Sequence, residues 1–319
     1  MIVVCTHQNY ANSFPSNHFG MKFRILLFTF FIGSVSLTGQ NRFSFVDAIT
    51  GEPVPYVHVI FGDHEGKYSD EEGIVTLPDS ILTARISHIS YEPMSMDITL
   101  LRGPFVALTP AVSELRPAIV MPNHRKSRTI GYASKKGVST YGGKNGFALA
   151  EFFGYQPDWT SPIVTAISLN LNTFNIKRAG TSTVDRERYT DGVTHIAKLR
   201  VDLRSVDPGS GGPGGSLIGG GVIYTFKDRI NINMHKLCKV SLPEPAVFPE
   251  EGLFVVVEWI VTDDVKVQDF VTPSIWRTRT DEGSSSWYKW PVGTPWKRLE
   301  KSQFDDSEKV FCISLELLE

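Results

Sequence analysis

The chain contains few cysteines and, after its first forty residues, no long hydrophobic run. Three cysteines in 319 residues are too few for a small scaffold held together by disulfides. No later apolar stretch approaches the roughly 20 residues of a membrane-spanning helix. Lys and Arg (32) nearly balance Asp and Glu (34), for a formal net charge of −2, so no basic surface indicates a nucleic-acid partner. Hydrophobic residues make up 41% of the chain, which excludes a disordered protein.

Residues 1–40 have the order of a secretory signal peptide. A short basic region precedes the apolar run 25–32, and small residues follow as far as Gly39. The run is too short to span a bilayer comfortably, and this order is typical of export signals. We expect translation from Met21, cleavage near Gly39, and an exported chain that is periplasmic or associated with the outer membrane, without a transmembrane segment. The alternative is a membrane anchor or a buried strand.

The sequence after residue 40 predicts an all-β fold made of two sandwiches. Short alternating segments are separated by turn residues about every 8–12 residues. Val57, Val59 and Phe61 fall on one face of a strand, with neighbours of mixed polarity on the other. We expect a small sandwich over 41–110. Residues 111–145 are basic and rich in Gly and Ser, which predicts an exposed linker; a patch for an acidic ligand is the alternative.

A larger sandwich is expected over residues 146–319. Three segments alternate strictly between apolar and polar residues, and we expect half-buried strands with one face on water: 167–172, 198–204 and 311–317. Residues 253–261 are nearly continuously apolar and predict a central strand. Only residues 146–153 could form a helix. Folds with crossover helices are therefore excluded.

Three motifs resemble those of the carboxypeptidase regulatory-like family: Phe45–Val59 (FVDAITGEPVPYVHV), Tyr68–Gly73 and Ile86–Glu92. The resemblance covers residues 42–122 and implies a transthyretin-like β-sandwich. Relatives of this domain flank metallocarboxypeptidases or precede outer-membrane TonB-dependent transporters as non-catalytic modules, so the resemblance implies an accessory role. The segments 198–203, 212–218 and 249–259 resemble the second half of outer-membrane-bacterial proteins named only for this domain, which implies a jelly-roll-like sandwich.

The sequence contains no complete catalytic or cofactor-binding motif. None of the histidines after the signal begins an H-x-x-E or H-E-x-x-H zinc motif: His58, His64, His88, His124, His195 and His235. The G-x-G-x-x-G at 209–214 precedes a predicted strand, not the helix that dinucleotide binding needs. No G-x-S-x-G elbow is present. We predict no catalytic, cofactor-binding or metal-ligating residues and no enzyme activity, although a Ser/His/Asp triad is recognised by geometry alone and stays open.

Four of the six tryptophans lie in one short span, at 276, 287, 290 and 296. Exposed indoles on a β-sandwich can stack on sugar rings, which makes Trp287, Trp290 and Trp296 candidate carbohydrate-binding residues. The alternative is that these rings pack a loop onto the sandwich, because Trp buries a large area. Cys238 and Cys312 fall on strand faces of opposite polarity, which argues against a disulfide, although a pairing at a sheet edge stays open.

The function these observations favour is that of a non-enzymatic, exported cell-envelope protein acting as a binding or structural module. Its partner would be an unknown envelope protein or a glycan, with no nucleic acid and no cofactor. A carbohydrate-binding accessory protein is the first alternative. A hydrolase with an unrecognised loop-built site is the second, and it requires histidines and carboxylates that cluster in a cleft.

Overall fold

The computed structural model describes residues 40–62, 65–100, 103–111, 126–142, 144–172, 194–225, 236–262, 270–280, 286–290, 293–299 and 308–319. Three predicted features lie outside these residues: residues 1–39 of the signal peptide, residues 112–125 of the linker, and the histidines His64, His124 and His235. Apart from one 3-10 turn, Ile98–Leu100, the regular secondary structure of the described residues consists of strands, which confirms an all-β sandwich fold. No helix in this part of the chain is long and apolar enough to cross a membrane. Residues 40–319 form one compact unit.

Residues 40–111 form two small sheets, which we call together the N-terminal sandwich. Its strands are β1 (Gln40–Asp47), β2 (His58–Phe61), β3 (Glu65–Tyr68), β4 (Ile74–Pro78), β5 (Thr83–His88), β6 (Tyr91–Asp97) and β7 (Phe105–Leu108). One sheet has the order β4-β1-β7 and the other has the order β3-β2-β5-β6. The β1–β7 pair is parallel, and the other pairs are antiparallel.

The core of the N-terminal sandwich lies between these two sheets. Phe45, Val59 and Leu77 are completely buried there, as the alternating pattern predicts. A turn follows β1, and Gly51 in it adopts the left-handed region, with φ 74°. His58 and Tyr68, on the second face of β2 and β3, are also buried, so this sheet is covered on both sides.

The larger sandwich, which we call the C-terminal sandwich, contains sixteen described strands. They are β8 (Ser127–Gly131), β9 (Ser139–Tyr141), β10 (Ala148–Phe153), β11 (Ile163–Asn172), β12 (Thr194–Ile196), β13 (Lys198–Val206), β14 (Pro213–Ser216), β15 (Val222–Tyr224), β16 (Lys236–Val247), β17 (Leu253–Ile260), β18 (Phe270–Thr272), β19 (Ser274–Arg279), β20 (Ser286–Lys289), β21 (Lys297–Arg298), β22 (Lys309–Phe311) and β23 (Ile313–Leu318).

Fourteen of these strands form two seven-stranded sheets. The sheet that we call the inner sheet has the order β14-β13-β17-β10-β20-β21, with β15 also paired to β13. The outer sheet has the order β22-β19-β11-β23-β8, with β16 paired to β11 and β9 paired to β19. Strands β12 and β18 form a separate parallel pair.

The main core lies between the inner and outer sheets. Strand β17 is buried along its whole length and pairs with β13 and β10, which confirms the predicted central strand. The indole N–H of Trp259 donates to the backbone oxygen of Pro273 at 2.6 Å. A Cβ atom at Gly142, where φ is 106°, would lie 2.6 Å from the Trp259 ring, so this close approach requires glycine. Residues 148–153, where the sequence left a helix open, form strand β10.

Two features differ from the expectation for the strands and for the linker. Strands β8 and β9 lie within the segment predicted as a linker and pair with β23 and β19. The polar faces of β11, β13 and β23 were expected to face water, which is wrong: Asn170 is 7%, Arg200 4%, Asp202 0% and Ser314 3% exposed. Arg200 is covered by the N-terminal sandwich, since its Nη2 donates to the backbone oxygen of Tyr56, whereas Asp202 is enclosed by its partners Arg204 and Ser216.

Candidate functional site

The most concentrated group of ionisable side chains lies where the N-terminal sandwich meets the inner sheet. We call the surface of the inner sheet that faces away from the main core the contact face. On β13, Leu199 and its alternate neighbours enter the core, while Arg200 and Asp202 lie on the contact face. The register places Arg200 directly opposite Glu258 of β17. Both side chains are buried, with 5% and 6% of their surfaces exposed.

A chain of hydrogen bonds runs through Glu258 and joins the two sandwiches. The Tyr68 hydroxyl donates to Glu258 Oε1 at 2.5 Å, and Arg200 Nη1 donates to Glu258 Oε2 at 3.2 Å. Arg200 Nη2 also donates to the backbone oxygen of Tyr56 at 3.2 Å. Each oxygen of the buried carboxylate therefore has a partner, as a buried charge requires. We call Tyr68, Glu258 and Arg200 the interface triad.

The electrostatics of the interface triad fix its protonation states. Burial by itself would raise the pKa of Glu258, but the Arg200 guanidinium and the Tyr68 hydroxyl outweigh it and hold this pKa below its usual value. Burial, followed by the charge of Glu258, raises the pKa of Tyr68 well above its ordinary value. The carboxylate is thus ionised and the phenol protonated at neutral pH, which keeps Tyr68 a hydrogen-bond donor.

Two histidines converge on the same layer, which the sequence did not predict. The ring of His58 stacks on that of Tyr68, with 4.5 Å between centroids and 18° between planes. The nitrogen Nδ1 of His88 accepts a hydrogen bond from the backbone N–H of Ser90 at 3.1 Å. Burial, reinforced by the charge of Arg200, lowers the pKa of His88 to about 3. His88 is therefore neutral at physiological pH and acts as a structural acceptor.

A second, more exposed link lies at the rim of the interface. Lys198 Nζ donates to the Tyr56 hydroxyl at 2.8 Å and to Glu71 Oε1 at 2.5 Å, while the Tyr56 hydroxyl donates to Glu71 Oε1 at 3.0 Å. The hydrogen bonds from Lys198 and Tyr56 lower the pKa of Glu71. The side chain of Glu71 is 66% exposed, so this pair contributes little to stability compared with the buried triad.

The tryptophans on β20 and just before β21 occupy the other end of the contact face. Trp287 lies opposite Ala150 of β10, and its ring meets that of Phe254 edge-on at 6.3 Å between centroids. A Cβ atom at Gly212 would lie 3.1 Å from the Trp287 ring, so the glycine-rich turn packs against this indole. Trp296 is half-buried and packs on the same apolar cluster.

Trp290, the third predicted stacking residue, lies elsewhere. It packs against the main core, donates its indole N–H to the backbone oxygen of Asn145 at 3.1 Å, and has Lys144 Nζ 4.4 Å from its ring centroid. The structure therefore brings Trp287 and Trp296 together on the contact face and separates Trp290 from them. Trp276 lies on β19 of the outer sheet.

Lys289 lies on the contact face beside this tryptophan pair. Its Nζ is 4.7 Å from the centroid of the Trp296 ring. Burial, and after it the charge of Arg204, lowers the pKa of Lys289 to about 8. The neighbouring Asp202 has both its oxygens in use, since Arg204 Nε donates to Oδ2 at 3.0 Å and Ser216 Oγ donates to Oδ1 at 2.7 Å.

A second buried carboxylate lies inside the main core. Glu151 of β10 is 2% exposed. Its Oε2 accepts a hydrogen bond from Ser286 Oγ at 2.6 Å and another from the backbone N–H of Phe311 at 2.9 Å. Since Phe311 belongs to the outer sheet, Glu151 connects the two layers of the C-terminal sandwich. We therefore assign Glu151 a structural role.

Two open clefts border the N-terminal sandwich. One, of about 660 Å³, is lined by parts of β2, β5 and β6, including Arg85 and Asp97, and by Thr294. The other, of about 590 Å³, is lined by Arg42, Tyr68 and Thr262 among others. Tyr68 of the interface triad also borders the second of these clefts, although only 2% of its surface is exposed.

Within the described residues, no three His, Cys, Asp or Glu side chains lie together so that they could hold a metal ion. Cys238 and Cys312 are both free and buried. Cys238 belongs to the main core, whereas Cys312 lies near the backbone oxygen of Lys135, at 4.0 Å. The glycine motif at 209–214 covers the turn after β13 and the first two residues of the antiparallel strand β14, so a strand follows it and not a helix.

Comparison of this chain with protein-family models, with curated proteins and with solved structures finds no match. The resemblance to the carboxypeptidase regulatory-like family therefore stays an expectation from the sequence. The geometry of the contact face supplies the evidence on which a function can be argued.

Proposed function

We propose that this chain is a non-enzymatic, exported protein of the cell envelope that acts as a binding or structural module. The observation that supports this proposal is the interface triad, in which the Tyr68 hydroxyl and the Arg200 guanidinium both donate to the buried carboxylate of Glu258. The arrangement couples two hydrophobic cores into one scaffold. A scaffold of this kind presents loops and hairpins at fixed positions for binding.

The protonation states at the interface favour structural over catalytic roles. A general acid or base works best when its pKa lies near the operating pH. The pKa of Tyr68 lies well above that range, and the pKa of His88 is about 3. Both oxygens of Glu258 already accept hydrogen bonds. These groups resemble a hydrolase site in composition, but their bonding supports a role in joining the sandwiches.

Export is proposed from the signal-like order of residues 21–39. The test is expression of the full chain in a bacterium with an outer membrane, followed by fractionation and mass measurement of the product. We expect a shortened chain in the envelope fractions. Leu27→Arg, which interrupts the apolar run, should keep the chain in the cytoplasm at full length, whereas the upstream control Asn12→Arg should not. A wild-type chain that stays unprocessed in the cytoplasm would contradict export.

A carbohydrate-binding role is the second candidate function, and one specific observation favours it. Trp287 and Trp296 share the contact face, each half-buried, with Lys289 beside them. Paired indoles with partly accessible faces can stack on sugar rings. The packing of Trp287 against Phe254 and Gly212 leaves Trp296 as the principal candidate for stacking, and Trp290 takes no part.

A further inference from the structure

We propose that Lys289 and Trp296 form a binding site for a carboxylate-bearing sugar, such as a uronic-acid unit of an acidic glycan. The proposal rests on the carbohydrate-binding role given above and adds the charge of the ligand and the residue that would recognise it.

The hairpin β20–β21 places one cation beside one indole. The register pairs Tyr288 with Lys297 and Trp287 with Arg298, so the next residues along the hairpin, Lys289 and Trp296, lie opposite each other. Their contact, with 4.7 Å between Lys289 Nζ and the Trp296 centroid, follows from this pairing. Both residues are half-buried, and so part of each can be reached by a ligand.

The charges around Lys289 are unequal in number. Three cations, Arg200, Arg204 and Lys289, share this part of the contact face with two carboxylates. The two carboxylates are already taken, since Glu258 binds Arg200 at 3.2 Å and Asp202 binds Arg204 at 3.0 Å.

Among the described residues, the ammonium of Lys289 has the face of Trp296 as its neighbour and forms no hydrogen bond or ion pair. A partly desolvated cation without an anionic partner of its own is costly. An anion supplied from outside would complete its coordination.

The chemistry of this surface selects a sugar acid over a simple anion. An indole offers a flat apolar face, which suits the C–H face of a pyranose ring, while the ammonium that lies over the Trp296 ring suits a carboxylate on the same sugar. A short acidic peptide would bring carboxylates without a ring to stack. Since Lys289 Nζ lies 4.7 Å from the centroid of the Trp296 ring, a single uronic-acid unit can contact both.

The test is isothermal titration calorimetry of the full chain at neutral pH with trigalacturonate as the probe. Its fully methyl-esterified form has the same rings and linkages without charge, and tri-glutamate has three side-chain carboxylates without rings. We expect trigalacturonate to bind and each of the other two to bind at least about tenfold more weakly, since charge and stacking each contribute.

Matched variants separate the site from general electrostatic attraction. Lys289→Gln and Trp296→Ala should each weaken trigalacturonate binding at least about tenfold, and Lys289→Arg should retain it within about threefold, because it keeps the charge. Lys297→Gln removes an equal charge from the exposed neighbour that pairs with Tyr288 and should change binding less than about twofold. Thermal unfolding of each variant checks that the fold is intact.

Each outcome of these titrations tests a different part of the proposal. Equal binding of the methyl ester would overturn the charge assignment and leave a neutral carbohydrate-binding role standing. Equal binding of tri-glutamate, or equal losses in Lys289→Gln and Lys297→Gln, would overturn the site as non-specific electrostatics. No binding of any glycan would overturn both the site and the carbohydrate-binding role, whereas the proposal of an exported scaffold is decided by fractionation.

Discussion

The substitution Glu258→Gln removes the charge that joins the two sandwiches while nearly preserving side-chain volume. It leaves the Arg200 guanidinium, whose side chain is 5% exposed, buried without its counter-ion. Breaking one partner of a buried ion pair costs about 3–5 kcal/mol. Tyr68 keeps an amide oxygen as acceptor, so we expect the free energy of unfolding to fall by about 3 kcal/mol, at the lower end of this range.

The assay is equilibrium unfolding in guanidinium chloride, followed by two signals. All six tryptophans lie between residues 159 and 296, within the C-terminal sandwich, so tryptophan fluorescence reports on that part alone. Far-ultraviolet circular dichroism reports on both sandwiches. The wild type should show coincident transitions in the two signals, as a single cooperative unit does. In Glu258→Gln the dichroism transition should begin at lower denaturant than the fluorescence transition.

The matched control is Lys239→Gln, which removes a partner from an ion pair on the surface. Lys239 Nζ lies 2.6 Å from Glu316 Oε2, but its side chain is 55% exposed. Exposed pairs of this kind are worth about 0–1 kcal/mol. If Glu258→Gln costs no more than Lys239→Gln, or if the two signals stay coincident in it, the buried pair does not couple the sandwiches.

The effect should also depend on pH in a defined direction. The folded-state pKa of Glu258 lies below its ordinary value of 4.5, so folding favours the ionised carboxylate. Its stabilising contribution is present above the unfolded pKa and is lost as the pH falls through the lower folded value. The stability difference between wild type and Glu258→Gln should therefore shrink in acid, and a constant difference down to about pH 3 would contradict this assignment.

Three further predictions follow from other parts of the structure. Burial lowers the folded pKa of Lys289 to about 8 from 10.5, so wild-type stability should rise relative to Lys289→Gln as the pH rises from about 8 to 10. If the stabilities of the two proteins change equally with pH across this range, Lys289 is not buried as described. Gly142→Ala should lower the free energy of unfolding by about 2–4 kcal/mol, since it combines backbone strain with a clash against a buried ring. The control Gly51→Ala has open space around it and should lower the free energy of unfolding by about 1–2 kcal/mol. Equal losses for the two variants in chemical denaturation would refute the clash. Since Cys238 and Cys312 are free, a reductant should leave the melting temperature unchanged, and a fall on reduction would reveal a disulfide.

Local alternation was sufficient to predict the strands and the fold class. Leu199, Val201 and Leu203 enter the main core as expected, because the side-chain period of a strand is fixed by its backbone. The same alternation could not identify what covers the opposite face. Arg200 and Asp202 have the composition of a solvated face, but both are buried. Arg200 lies against a segment more than 100 residues earlier in the sequence, where it donates to the backbone oxygen of Tyr56.

The candidate site was therefore only partly accessible from sequence. The sequence shows that four tryptophans lie close together along the chain. It does not show that Trp287 and Trp296 share one face while Trp290 packs elsewhere, because this depends on strand pairing. The convergence of His58 with Glu258 depends on the packing of one sandwich on another. The sequence offered one signal for this convergence: alternation places His58 on the face opposite Val57 and Val59. That face could be identified as covered only once the structure showed buried charges on β13.

The most direct test of the central claim, that a buried hydrogen-bonded layer joins the two sandwiches, is a double-mutant cycle. The free energy of unfolding is measured for wild type, Tyr68→Phe, Glu258→Ala and the double variant. Ala is used at position 258 because Gln would keep an acceptor for the Tyr68 hydroxyl. Since the 2.5 Å bond involves a charged acceptor, we expect a coupling energy of about 1.5–3 kcal/mol. Additive effects, within about 0.5 kcal/mol, would show that these residues do not interact in solution and would contradict the account.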